Sequence, residues 1–156
     1  MNVTIHTYAD LSNDDARCVG KVFLTCTGEQ FHAHDLKDTI FVVHRGDRII
    51  GACLLSPMSP SRGFAGETEK SRIPYLYNFV CAPKYQRKGV GSLLMNTIKQ
   101  YVATSNIYDM KVINLHTRVG DEKAISFFKK HKFERCGEFA TSAGVVMFLK
   151  FTCQLS

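Results

Sequence analysis

Apolar and polar residues change period several times along this chain, and each change predicts an element. Val3 to Tyr8 alternates apolar with polar, the two-residue period of a half-buried strand. Asp10 and Ser12 are capping types, and a helix is predicted to follow over roughly 12–26. The polar stretch 27–38, with two histidines, reads as loop or short helix. Ile40 to His44 and Arg48 to Leu55 are β-rich runs separated by Gly46-Asp47, the pattern of a hairpin. Residues 56–73, SPMSPSRGFAGETEKSRI, are rich in proline, glycine and serine and predict a long loop. Pro74 leads into YLYNFVC, apolar on both faces, which belongs in the middle of a sheet.

From Gly89 the period lengthens. Val90, Leu93, Leu94, Ile98, Tyr101 and Val102 fall on one helical face. MKVINLH, 110–116, alternates as a strand, and 121–131 is helical with Ala124, Phe127 and Phe128 on one side. Residues 133–139 and 145–151 read as two closing strands with polar TSAG between them. The order β α β β β α β α β β predicts a mixed α/β fold. No repeat, low-complexity tract or composition break divides residues 1–156, so a single domain is expected.

Composition adds limits. The 156 residues are 45% apolar and 22% charged, enough for one proper core in a globular chain. The formal charge of +6 favours anionic partners and says nothing about fold. Six cysteines make no C-x-x-C pair and no zinc-ligand spacing, so no metal is expected. Cys53 and Cys81 sit in apolar runs, where cysteine acts as a small hydrophobe. The opening MNVTIHTYADLS is not a basic-then-apolar leader, and no window is long and apolar enough to span a bilayer. An intracellular, cytoplasmic protein without a membrane partner is expected. Basic residues do not cluster with aromatics along an exposed strand, so nucleic acid is not an expected partner. The sequence allows a homodimer without requiring one.

The string CAPKYQRKGVG, 81–91, carries the chemistry. Gly89 and Gly91 stand where a buried strand gives way to an amphipathic helix. A helix N-terminus offers unpaired N–H groups and the positive end of the helix dipole. Arg87 and Lys88 add charge, and glycine lets an anion approach the backbone. These features fit a phosphate site, and they also fit a plain tight turn. The string is not a Walker loop, because no G-K-[ST] is present, and it lacks the third glycine of a dinucleotide fingerprint.

Pro83-Lys-Tyr-Gln86-Arg87-Lys88-Gly89-Val90-Gly91-Ser92 resembles the Q/R-x-x-G-x-G/A motif of the GNAT N-acetyltransferase superfamily. Asp121-x-x-Ala124-x-x-Phe127-Phe128-x-x-x-x-Phe133 resembles that family's N-x-x-A-x-x-[FL]-Y-x-x-x-G-F. The element order matches from about residue 3 to 151. The resemblance implies a GNAT acyl-CoA N-acyltransferase fold. That is a mixed sheet of six to seven strands, splayed between the fourth and fifth, with about four flanking helices. It implies acetyl-CoA as co-substrate, held by the backbone of Phe79, Val80 and Cys81 and by Gln86, Arg87, Lys88, Gly89, Val90, Gly91 and Ser92. The Phe79 N–H would donate to the thioester oxygen, where charge develops during transfer. Asn114 is either a second contact to the pantetheine arm or an amide on a strand rim. Lys129 and Lys130 either reach the adenosine 3′-phosphate or form a solvated basic face.

Three matched positions depart from the family pattern. Asp121 replaces the usual Asn and is a good N-cap. Lys132 replaces a glycine. Phe128 stands where many members carry the tyrosine thought to protonate the departing thiolate. Tyr75, Tyr77 and Tyr85 are substitutes with nothing to rank them, and core packing is the expected role of Tyr75 and Tyr77, which share a face with Phe79. An attacking amine must lose a proton, and His116, at the end of its strand, is the candidate base. Its other reading is a ring bonded to backbone with no proton to move. His32 and His34 are expected at the surface, and Glu67 and Glu69 are solvated loop acids or attract a cationic amine. The expected activity is acetyl transfer to a primary amine, on a small molecule or a peptide, by direct attack in a ternary complex. The alternative is a catalytically weak or inactive acyl-CoA-binding module.

Overall fold

The computed structural model describes residues 1–57, 72–109, 111–140 and 147–155. The stretch from 58 to 71, with Glu67 and Glu69, and the TSAG connection lie outside the described residues. Seven strands form one mixed sheet: β1 (Asn2–Thr7), β2 (Thr39–Arg45), β3 (Arg48–Ser56), β4 (Tyr75–Cys81), β5 (Val112–Arg118), β6 (Glu134–Ala140) and β7 (Met147–Gln154). Their order in the sheet is β1-β2-β3-β4-β5-β7-β6. Three α-helices, α1 (Asn13–Thr27), α2 (Val90–Thr104) and α3 (Glu122–Lys130), and two single-turn 3₁₀ helices, at Tyr8–Asp10 and Pro83–Tyr85, are found among the described residues.

The chain divides into two compact units. The first holds residues 1–56 and 77–101. Its strands β1, β2 and β3 run antiparallel, in registers such as Val3 on Val43 and Phe41 on Cys53. The β2–β3 hairpin is almost wholly buried, from Ile40 to Val43 and from Ile50 to Leu55. Val90, Leu94 and Ile98 of α2 are buried at a helical spacing, as the sequence period predicts, while Leu93 is half-buried and Met95, outside the predicted face, is buried beside them. Helix α1 begins at Ser12, whose Oγ accepts from the Asp15 N–H at 3.1 Å, and stops at Gly28, which is left-handed at φ +74°.

The second unit holds residues 57–76 and 102–156. Strand β5 pairs antiparallel with β7, and β7 with β6. Tyr75 and Leu76 pair in parallel with Asn114 and Leu115. Asp121 caps α3 by accepting from the Ala124 N–H at 3.2 Å. The far end of α3 explains two of the departures. The Phe133 N–H donates to the Phe128 carbonyl and the Lys132 N–H to that of Lys129, both at 3.0 Å. This is a Schellman ending, with Lys132 left-handed at φ +70° in the place where glycine carries no steric penalty. The apolar contact that accompanies such an ending is Phe128 on Phe133, ring centroids 5.6 Å apart, both buried.

Candidate active site

In the first unit, β4 does not alternate cleanly. Asn78 is left-handed at φ +53°, a conformation that asparagine tolerates better than most residues. One such residue bends a strand and re-aims the residues after it, as a β-bulge does. Burial confirms the break: Tyr77 and Val80 are buried, whereas Asn78 and Phe79 are half-buried. The expectation that Tyr75, Tyr77 and Phe79 share one face therefore fails at Asn78, because a simple two-residue period does not pass through a left-handed residue.

The loop after β4 is built from its own hydrogen bonds. The Ala82 N–H donates to the Ile50 carbonyl at 2.8 Å, tying the loop to β3. The Gln86 amide Nε2 donates to the Cys81 carbonyl at 3.1 Å, so this side chain folds back on the strand end. The Cys26 thiol donates to the same carbonyl at 3.1 Å. Burial raises the Cys81 thiol to about 11, so it stays protonated, as a small hydrophobe should. Arg87 at φ +59° and Gly89 at φ +83° are both left-handed. Left-handed residues spaced this way, where they alternate with right-handed ones, are the backbone pattern of an anion nest. Leu93 is the residue whose N–H takes the Gly89 carbonyl, at 2.9 Å, so the N–H groups of Val90 and Gly91 precede that first helical bond. A Cβ on Gly89 would meet nothing within 4 Å. Glycine is required there by the backbone angle, and the space beside it is open. Arg87 and Lys88 are exposed.

In the second unit the candidate base has a defined partner. Tyr75 Oη and His116 Nδ1 are 2.8 Å apart. Tyr75 is buried and His116 half-buried. Burial holds the Tyr75 phenol above its usual range, so it carries its proton at neutral pH. Asn114 is not an amide on a strand rim. It is buried, and its Oδ1 accepts from the Thr152 hydroxyl at 2.8 Å. Phe128 is enclosed among Phe127 and Phe133. Among the described residues no group of three or more His, Cys, Asp or Glu side chains is placed to hold a metal.

The structure thus groups Phe79, Val80, Cys81 and 86–92 in one unit and Asn114 with His116 in the other. Tyr75 stood in the sequence among three tyrosines for the vacant acid role, but its pairing with His116 did not; that follows from the parallel register that sets Tyr75 on Asn114, two residues before His116. The setting of Tyr77 was also invisible. Its hydroxyl donates to Asp38 Oδ2 at 2.5 Å and accepts the His34 N–H at 2.9 Å.

The Acetyltransferase (GNAT) family model matches residues 8–133. The chain belongs to the GNAT acetyltransferase family. It is 30% identical over 61 residues to N-alpha-acetyltransferase 60 of Drosophila melanogaster, a stretch that makes up 39% of this chain and 22% of that protein. It is 31% identical over 67 residues to the probable N-acetyltransferase san of the same fly, 43% of this chain and 35% of that protein. The matched stretches therefore span between about a fifth and a third of these relatives. The ribosomal-protein-S18-alanine N-acetyltransferase of Escherichia coli shares the fold, with a TM-score of 0.71 at 13% identity over 99% of this chain and 95% of that one.

Proposed function

We propose that this chain transfers the acetyl group of acetyl-CoA to a primary amine by direct attack, and that the amine is the α-amine of a peptide or protein. The observation that carries the proposal is the Tyr75–His116 pair at 2.8 Å. An amine is mostly protonated at neutral pH and is no nucleophile until something takes its proton. In the tautomer whose Nδ1–H donates to Tyr75 Oη, the His116 Nε2 lone pair is the one that accepts that proton, directly or through a water. The nitrogen then attacks the thioester carbon, the tetrahedral oxyanion forms, the nitrogen gives its second proton to solvent, and the C–S bond breaks to release CoA thiolate and the neutral amide.

The first unit supports the co-substrate half. The nest at 87–91 suits a pyrophosphate, with Arg87 and Lys88 supplying charge. Phe79 comes directly after the left-handed Asn78, and its N–H is the proposed donor to the developing oxyanion. Val80 and Cys81 continue the backbone that would hold the pantetheine arm. The thiolate is a good leaving group, with a thiol pKa near ~8.5, so departure needs no acid at Phe128. The choice of an α-amine is supported by the name of the N-alpha-acetyltransferase 60 relative.

A second reading, an acyl-CoA-binding module without turnover, is favoured by Phe128, which cannot donate a proton. A panel of peptide α-amines, lysine side chains, polyamines and amino sugars separates the two. Acetyl transfer requires CoA release and an acetylated product with at least one of them. Binding of acetyl-CoA with no product from any amine supports the module instead.

A further inference from the structure

Residues 32–38 bind to β4 at the two positions just before Phe79. The Asn78 Nδ2 donates to the His32 carbonyl at 2.9 Å. The His34 N–H donates to Tyr77 Oη at 2.9 Å, and that hydroxyl donates to Asp38 Oδ2. The His34 ring lies flat on the Tyr77 ring, 3.9 Å between centroids and 6° from parallel. Asp38 is 1% exposed, an unusual place for a carboxylate unless it holds something. The segment is itself moored by two backbone bonds, Tyr8 N–H to the Asp38 carbonyl at 2.8 Å and Ala9 N–H to the Leu36 carbonyl at 2.9 Å. From the strand side, the Cys53 thiol donates to the Tyr77 carbonyl at 3.3 Å.

These bonds converge on a strained point. A left-handed residue inside a strand persists only where its surroundings fix it. Asn78 is that residue, and its side chain and its neighbour Tyr77 are both held by the same short segment. We infer that residues 32–38 form a strap that holds the left-handed turn at Asn78, and through it aims the Phe79 N–H at the thioester oxygen. Tyr77, Asn78 and Asp38 are positioning residues: they touch no reacting atom and act through Phe79. The strap rests on the proposed acetyl transfer, in which Phe79 is the oxyanion donor.

The test reads the thioester carbonyl itself. Infrared difference spectra of acetyl-CoA labelled with ¹³C at the carbonyl report hydrogen bonding to that oxygen as a downshift of its stretch. Asn78→Gly keeps the backbone angle accessible and removes the tie to His32. Tyr77→Phe removes both hydroxyl bonds and keeps the ring on His34. The strap predicts a downshift in the wild-type complex that shrinks by half or more in each variant. It also predicts a kcat loss of about tenfold, with the Kd for CoA, which has no acetyl carbonyl, within twofold of wild type. Should Tyr77→Phe fail to fold, Asn78→Gly alone decides. A wild-type downshift retained in folded Asn78→Gly overturns the strap and leaves acetyl transfer standing. No downshift in the wild-type complex overturns the strap together with the Phe79 N–H as donor, and acetyl transfer is then judged by its product alone.

Discussion

Tyr75 Oη lies 2.8 Å from His116 Nδ1, a hydrogen bond between the start of β4 and the fifth residue of β5. Burial keeps the tyrosine protonated, so the imidazole is the member of the pair proposed to take the amine's proton. A base must be unprotonated to act, so kcat/KM should rise with pH and level off. His116→Ala should lower kcat by ~10²-fold or more. The deficit should shrink toward acidic pH, where a base that already holds its proton contributes nothing in the wild type, and acetyl-CoA binding should be nearly unchanged. Tyr75→Phe should lower kcat by about tenfold, the scale of one hydrogen bond. A pH–rate profile of each variant checks this. An identical profile in His116→Ala removes the histidine from the reaction.

Gly89 tests the nest. Its φ of +83° is one that a β-branched side chain rarely adopts, although a Cβ there would touch nothing. Gly89→Val should therefore weaken CoA binding by roughly tenfold or more through backbone displacement alone, about a 1.4 kcal/mol effect. Isothermal titration with CoA reads it, and an unchanged Kd separates the loop from the pyrophosphate.

Much of the fold was legible because its periods are strong. The β2–β3 hairpin, the α2 face and the Asp121 cap all appear as patterned, and element ends moved by only a few residues. The glycines of the 86–92 loop stood out in the sequence, and at Gly89 the structure gives the reason as its backbone angle rather than a crowded Cβ. What stayed hidden depends on contacts between residues far apart in sequence. Tyr75 looked like core because its partner lies 41 residues away. Asp38 looked like one more polar residue in a loop until Tyr77 met it. Asn78 carries no sequence mark beyond being the one strongly polar residue in YLYNFVC.

Lys132 predicts a stabilising change. It occupies the left-handed position of the α3 ending at φ +70°. Lys132→Gly should remove most of the ~1–2 kcal/mol strain of that conformation, less glycine's greater entropy loss on folding, a net gain of up to ~1 kcal/mol. Denaturant unfolding measures it. A loss of stability contradicts the Schellman assignment.

Asp38 predicts a pH dependence of stability. Burial raises its carboxyl above the usual value, more than the Tyr77 hydrogen bond lowers it. The folded chain therefore holds that proton more tightly than the unfolded chain, and the group's contribution to stability falls as pH rises through its folded pKa. Asp38→Asn keeps an acceptor for Tyr77 and cannot ionise. Its Tm relative to wild type should increase as pH rises from the ordinary carboxylate value, about 3.8, through the raised one. A difference that is flat or shrinks across that range contradicts the raised carboxyl.

The most direct test of acetyl transfer uses a peptide whose only amine is its N-terminal one, incubated with the purified chain and acetyl-CoA labelled with ¹³C in the acetyl group. Mass spectrometry tracks the peptide, which avoids thiol reagents that the six cysteines would consume. The account predicts one labelled acetyl group on the α-nitrogen, accumulating in step with free CoA and strongly reduced in His116→Ala. A peptide that stays unlabelled while acetyl-CoA is bound, or labelling at the same rate in His116→Ala, contradicts it.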